Sequence, residues 1–509
     1  MILLNKTTRS AQFEIENDLV YFLDSLKPVK LNGVIVEKTS NNVFSLFNLT
    51  PNTTYKVEVV GQSLEFTTCY ESAFIDIAKD FILPLTGETE ITTTLQEAIN
   101  VAPPHSTLFF AAGDYLSGPL FLKDNITIYL DQGAALIGTT NRYKYPVLPS
   151  KIDQMDISTW EGELAHTYAS LITGVNVENV QITGEGIIEC NAHNSDWWID
   201  VKKPRVAYRP FGVYFSHCKN ITFSGVTIQN TPSWAVHPFL CDGFNLYDCD
   251  IINPKDSPNT DGFDPDMTKN INCIGVVFSV GDDCIAIKSG KFKLGSKYKR
   301  PSENIVIRNC SMSYGHGAIT IGSEMSGGIN NLVVTQCFFE STDRGFRIKT
   351  RRGRGKYGII SNVTFDNCIM NNVLVPFVIN MFYYCDFDGK TEYVWSKETL
   401  PVDERTPHLG DFTFTNIKCF EVNAHAGFFY GLPESKIDSV TLKNVLFAYK
   451  DDPTPFYPAM MSYLEKTSGE GLYFNNVRKV VLENCEFENI KKSKIVKENV
   501  DEFFDEGVN

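Results

Sequence analysis

Between residues 10 and 68 the chain runs in short segments of alternating apolar and polar residues: QFEIEND, LVYFLDS, VKLNGVIVEK, NVFSLFNLT, YKVEVVG and LEFTT. A period of two, broken by turn residues, predicts half-buried strands, and so many short ones in succession predict a small β-sandwich. Beyond roughly residue 80 the alternation becomes repetitive. ITFSGVTIQN (221–230), FNLYDCDIIN (244–253), IVIRNCSMSY (305–314), LVVTQCFFES (332–341), VTFDNCIMNN (363–372) and VVLENCEFEN (480–489) each set β-type residues around a Gly, Asn or Cys. Successive copies recur about 23 to 34 residues apart, which is one coil of a stacked solenoid. No helical pattern shares that period, so the solenoid is expected to be a parallel β-helix. The one helical stretch, TTTLQEAINVA (92–102), is placed to cap the open first coil and cover its edge. The expected class is therefore all-β, with a β-sandwich over 1–75 and a β-helix over 76–509.

Stacking turns these repeats into a prediction of neighbours, because equivalent residues of successive coils lie about 4.8 Å apart. Cys249, Cys310, Cys337, Cys368 and Cys485 fall at one offset and read as small inward-facing core residues. Aligning GDDCIAIKS (281–289), GHGAITIGS (315–323) and DRGFRIKT (343–350) places Ile287, Ile321 and Ile348 in one inward row. Asp282 then stacks on His316 and Asp343, and Lys288 on Gly322 and Lys349. Setting NTDGFDPD (259–266) one coil earlier, with Phe263 under Ile285, puts Asp261 beneath Asp283. Asp-Asp or Gly-His-Gly alone is more often a turn. Six such residues in register (Asp261, Asp282, Asp283, His316, Arg347 and Lys349) favour a functional patch.

The residue types define its chemistry. Carboxylates packed this closely cannot all ionise, so one proton is retained, and a protonated acid beside an ionised one is the pair that glycoside hydrolysis uses. Arg347 and Lys349 supply positive charge for acidic groups of a substrate. The net charge of −15 disfavours nucleic acid as a partner. Two local runs oppose that trend, Lys288 to Arg300 and Arg344 to Arg354, each free of acids. Either alone reads as a solvated basic loop, whereas two flanking an acidic motif point to an anionic ligand. No apolar run reaches the length of a membrane span. Thirteen cysteines without a CxxC pair argue against a disulfide framework or a zinc site and for reduced, buried thiols. Together with an N-terminus lacking the regions of a signal peptide, this leads us to expect a cytoplasmic protein, or a secreted one if a leader has been removed.

At these residues the chain resembles the pectin-degrading polygalacturonases of glycoside hydrolase family 28. The family's four motifs stand as NTDG (259–262), GDD (281–283), GHG (315–317) and RIK (347–349), and the likeness runs from about residue 80 to 490. It takes in LQEAI (95–99), the stretch 113–138, NTPSW (230–234) and GLPES (431–435). The resemblance implies a right-handed β-helix, an inverting mechanism, and no metal or cofactor. It implies Asp282 as general acid, Asp261 and Asp283 as the pair that activates water, and His316 as the residue tuning the acid. It also implies Arg347 and Lys349 as ligands of the galacturonate carboxylate. Asn259, Lys288, Arg352 and Trp198 complete the candidate substrate-binding set. One tension arises: stacked Asp261 and Asp283 are closer than the carboxyl separation usual for inversion, and here the resemblance is followed over the distance rule.

FNLTPNTTYKVEVV (47–60) resembles a late portion of a fibronectin type III domain. An N-terminal module of this kind and long insertions resemble the exo-acting branch, where extra loops close the cleft. The segments 151–210, with Trp197, Trp198 and Arg209, and 384–410 are the candidate walls, although the two tryptophans read equally as packing aromatics. An acidic polysaccharide or oligogalacturonide is the expected partner. An endo-acting or rhamnogalacturonan-directed relative, a calcium-dependent pectate lyase and a non-catalytic binding β-helix are the alternatives.

Overall fold

The computed structural model describes residues 1–508. Residues 2–67 form two antiparallel sheets. One joins Ile2–Lys6, Ala11–Glu14 and Val43–Leu46, and the other runs in the order Val34–Asn41, Phe22–Leu31, Thr54–Val59 and Gln62–Thr67. Phe13, Val29, Phe44, Val57 and Phe66 meet in a core of their own between the sheets, as alternation with one buried face requires. Phe74–Asp76 pairs in parallel with Ser106–Phe110 and opens the second unit.

From there the chain coils into a right-handed parallel β-helix. Its register is continuous: Phe263 pairs with Ile285, Ile285 with Ile319, Ile319 with Phe346, Phe346 with Phe377, and Phe377 with Gly427. Ile287, Ile321 and Ile348 fall in one fully buried row. Among the cysteines at the common offset, the residues that follow Cys310, Cys337 and Cys368 pair from coil to coil, and Val445 pairs with Cys485. All five are buried, and all thirteen thiols are free. The recurring asparagines have a separate reason. Asn179, Asn220, Asn304, Asn331, Asn444 and Asn484 adopt positive φ at the turns, and their side-chain amides bond to one another along the helix axis. Asn tolerates this left-handed conformation while its amide satisfies the neighbouring turn.

Thr92–Val101 is the predicted helix, and it buries Leu95, Ala98 and Ile99 against the first coils. The N-terminal unit lies along the flank of the β-helix. Glu14 grips Arg308 through two bonds of 2.6 Å and accepts a third from Asn309. Ser45 donates to Asp248 at 2.6 Å, and Phe22 packs edge-on against Phe338. These contacts span several coils, so the unit acts as a brace. None of its residues lines the cleft described next.

Candidate active site

The outward positions of the coil strands form the floor of a cleft of about 520 Å³. Alternation leaves one inward residue between each pair of outward ones. Thus Arg347 and Lys349 flank buried Ile348, and Lys288 follows buried Ile287. Asp282, Asp283 and His316 occupy the turns that enter these strands, and Asp261 sits in the turn one coil earlier. Backbone bonds tie those turns together: Ala235 N donates to Asp261 O, Gly262 N to Asp283 O, and His316 N to Asp282 O. The glycines of GHG are needed for this closeness. A Cβ at Gly317 would lie 2.9 Å from Asp283 Oδ1, and one at Gly315 would lie 2.7 Å from Asp282 O.

Asp261, Asp282 and Asp283 each offer a carboxylate oxygen, all within 4.8 Å of one another. The three are not equivalent. Asp283 is fully buried, with Lys349 Nζ 2.5 Å from one oxygen and Arg347 Nη1 3.3 Å from the other. Burial alone would raise its pKa, but the two cations outweigh it and hold the carboxyl well below the usual range. Asp261 is also buried, and its nearest cation, Lys288, lies 4.0 Å away. Burial first, and Asp282 second, hold Asp261 well above that range. The cluster therefore retains a proton, while the two cations keep Asp283 ionised. Asp282 is the most exposed of the three, and His316 Nδ1 lies 3.3 Å from its Oδ1. This contact, more than any other influence, raises the His316 pKa above 6.5.

The remaining candidates divide. Asn259 lines the cleft, and its Oδ1 accepts from Arg209 Nη2 at 2.7 Å. Arg209 also donates to the carbonyls of Pro232 and Pro258, so it stands behind the wall rather than on it. Lys288 lines the cleft but is 3% exposed, with Asp264 and Glu324 each 3.3 Å away and the Trp234 ring 4.4 Å away. It is the counter-ion of a buried acid group and not a free hand for substrate. Arg352 is excluded from the cleft: its guanidinium is clamped by Glu434 and donates to the carbonyls of Tyr393, Ser396 and Glu398. Trp198 is likewise displaced, its indole donating to Thr231 O, and Trp197 is a packing aromatic between Tyr145 and Tyr168. The two basic runs also differ from expectation. Lys291, Lys297, Arg351 and Arg354 find Asp386, Asp156 or Asp388, so most of that charge is neutralised by acids distant in sequence.

Both candidate wall segments do reach the cleft, through other residues. Glu161 and Lys202 come from 151–210, and Tyr384, Cys385 and Asp386 from 384–410. Trp234, Tyr383, Glu324 and Met460 line it as well. Trp234 is visible within NTPSW, but nothing in the sequence singles out Met460. Its sulfur accepts from Arg347 Nη2 at 3.1 Å, and its carbonyl accepts from Asn380 at 3.0 Å. A second cleft, of about 300 Å³ and mostly apolar, is lined by Phe428, Tyr430 and Tyr473 further along the helix, and has no carboxylate cluster of this kind.

The acid cluster and its paired cations thus sit together on the outer face of a parallel β-helix. Residues 145–452, more than half of the chain, match the model of glycosyl hydrolases family 28, and the chain belongs to that family. Among its relatives is an endo-polygalacturonase of Pectobacterium carotovorum, 30% identical over 302 residues, which covers 57% of this chain and 72% of that protein. A protein described as "Probable polygalacturonase" from Vitis vinifera is 33% identical over 282 residues. That match covers 53% of this chain and only 56% of the grapevine relative's length. Two solved structures share the fold. The family 28 exopolygalacturonase of Yersinia enterocolitica is 18% identical, with a TM-score of 0.68, covering 99% of this chain and 97% of that one. The hyperthermoactive exopolygalacturonase of Thermotoga maritima is 22% identical, with a TM-score of 0.66, covering 83% and 93%.

Proposed function

We propose that the chain hydrolyses α-1,4-galacturonosidic bonds of polygalacturonate or oligogalacturonides from the chain end, with inversion. The observation that carries hydrolysis of an acidic glycan is the placement of Asp261, Asp282 and Asp283 within 4.8 Å of one another, with Arg347 and Lys349 at the same point, whereas inversion follows the family resemblance over the distance rule. Asp282, the accessible member, protonates the leaving oxygen. Asp261 and Asp283 hold the attacking water between them. In the free enzyme Arg347 and Lys349 are engaged by Asp283. A substrate carboxylate competes for both cations, which releases Asp283 and raises its basicity when the substrate is in place. Chain-end action is supported by the insertions that supply Glu161 and Asp386 to the cleft. The Yersinia and Thermotoga exopolygalacturonases support the same direction of reading.

A time course of products from polygalacturonate and from trigalacturonate tests the reading. Short products of one size from the earliest points, with the new reducing end first seen as the β-anomer by proton NMR, are expected. A ladder of sizes would make the enzyme endo-acting, and an initial α-anomer would make it retaining. Growth of unsaturated-uronide absorbance would indicate a lyase instead.

The His316–Asp282 contact adds a pH dependence. Because the His316 pKa is raised, the imidazolium persists below that pKa and is lost as pH climbs through it. The basic limb of kcat/KM is therefore expected above pH 6.5, and His316→Asn should remove that limb. A profile identical to wild type in the variant would detach His316 from the acid.

A further inference from the structure

Five carboxylates line the cleft, and four have a cation within reach. Asp261 lies 4.0 Å from Lys288, Asp282 3.3 Å from His316, Glu324 3.3 Å from Lys288, and Asp386 2.8 Å from Lys291. Glu161 has neither an ion pair nor a hydrogen bond to its carboxylate among the described residues. An unpaired acid is an unexpected component of a site that admits a polyanion.

Its position is firmly held. Thr159–Trp160 and Glu163–Leu164 form a two-stranded hairpin whose two-residue turn is Glu161–Gly162, with φ of 45° and 73°. Positive φ at both turn residues matches the twist of a tight hairpin. Trp160 stacks on Tyr208 at 5.0 Å and lies parallel to Trp234 at 6.3 Å. Gly162 O accepts from Lys291 N at 2.9 Å, and the same lysine reaches Asp386 on the opposite wall. A Cβ at Gly162 would stand 2.7 Å from Glu324 Cγ, so the tip is seated with no space to spare. Lys291 thus ties the hairpin to the 384–410 wall, with Glu161 facing the space between them.

We propose that Glu161 is a specificity-determining residue that reads the end of the galacturonate chain. Its carboxylate accepts hydroxyl groups of a terminal sugar and repels the carboxylate of a further uronate unit. The inference rests on the chain-end galacturonate reading above. It works by discrimination against the longer occupant as much as by attraction to the right one. Desolvation between the walls, and then the adjacent Glu324, raise the Glu161 pKa against the opposing pull of Lys291 and Lys288, neither of which bonds to its carboxylate.

The test compares wild type, Glu161→Gln, Glu161→Ala and Glu161→Asp on trigalacturonate and hexagalacturonate. Removing the charge is expected to raise the hexamer-to-trimer ratio of kcat/KM by about fivefold, the effect of one accessible charge pair. It should also lengthen the products. Glu161→Asp should keep the wild-type ratio. If wild type releases short products of one size while Gln and Ala variants keep its ratio and products, the Glu161 assignment falls and the chain-end reading stands. If wild type itself releases a ladder of sizes, the chain-end reading falls and takes this inference with it. Unchanged melting temperatures separate either result from misfolding, and the Ala variant serves should the Gln variant prove unstable.

Discussion

Replacing Asp282 by Asn lowers kcat by about 10³-fold while trigalacturonate still binds, because proton donation to a poor leaving group is worth roughly 10²- to 10⁴-fold. The substitution conserves shape and removes only the transferable proton. Asp282 is the most exposed member of the cluster, whereas Asp261 and Asp283 are buried. Arg347 and Lys349, the proposed ligands of the substrate carboxylate, bond to Asp283 and not to Asp282, so they stay in place. Titration calorimetry of the variant against trigalacturonate, beside its turnover, separates the two effects. Wild-type turnover in Asp282→Asn would remove this residue from the chemistry. Lost binding together with lost turnover would show instead that the substitution disturbs the cluster.

The second large effect is at Lys349. Lys349→Ala is expected to raise KM for galacturonate oligomers about 30-fold, the value of one charge-assisted hydrogen bond of about 2 kcal/mol. It should also move the acid limb of kcat/KM. Lys349 is the leading charge that offsets the burial of Asp283. Without it Asp283 keeps only Arg347, and its pKa rises. A carboxylate base loses function as pH falls through its pKa, so activity should fail at a higher pH than in wild type. Steady-state kinetics from about pH 3 to about pH 7 measures both effects. An unchanged KM would take Lys349 out of the carboxylate site, and an unchanged acid limb would mean that Asp283 does not depend on it.

Much of the cluster is legible in the residue order alone, because a β-helix converts sequence spacing into contact. A strand has one allowed repeat of side-chain direction, and a coil has one allowed partner above and below. Pairing Phe263 with Ile285 by pattern is therefore enough to bring Asp261 to Asp283, and the observed register has that pairing. The cysteine row and the helix over Thr92–Val101 follow from equally local rules. Arg352 and Trp198 depart from expectation because their surroundings are not set by the coil. Arg352 belongs to the same basic run as Arg347 and Lys349, but it lies beyond the strand, where the chain is free to leave the coil and meet Glu434.

The same distinction accounts for the walls. Glu161, Asp386 and Met460 come from excursions whose own sequence holds no period. Their meeting depends on Lys291 linking two of those excursions and on Met460 lying against Arg347. The charge state of the cluster is equally out of reach of pattern. Asp261 and Asp283 are both buried, and they are driven apart by Lys349 and Arg347 approaching Asp283 and by Asp282 standing beside Asp261. The coil, its register and the stack of acids thus belong to the sequence, because repeating backbone pairing leaves little choice. Which acid is ionised, which cations are free and what closes the cleft belong to the folded chain, because they depend on distances between segments that no local pattern relates.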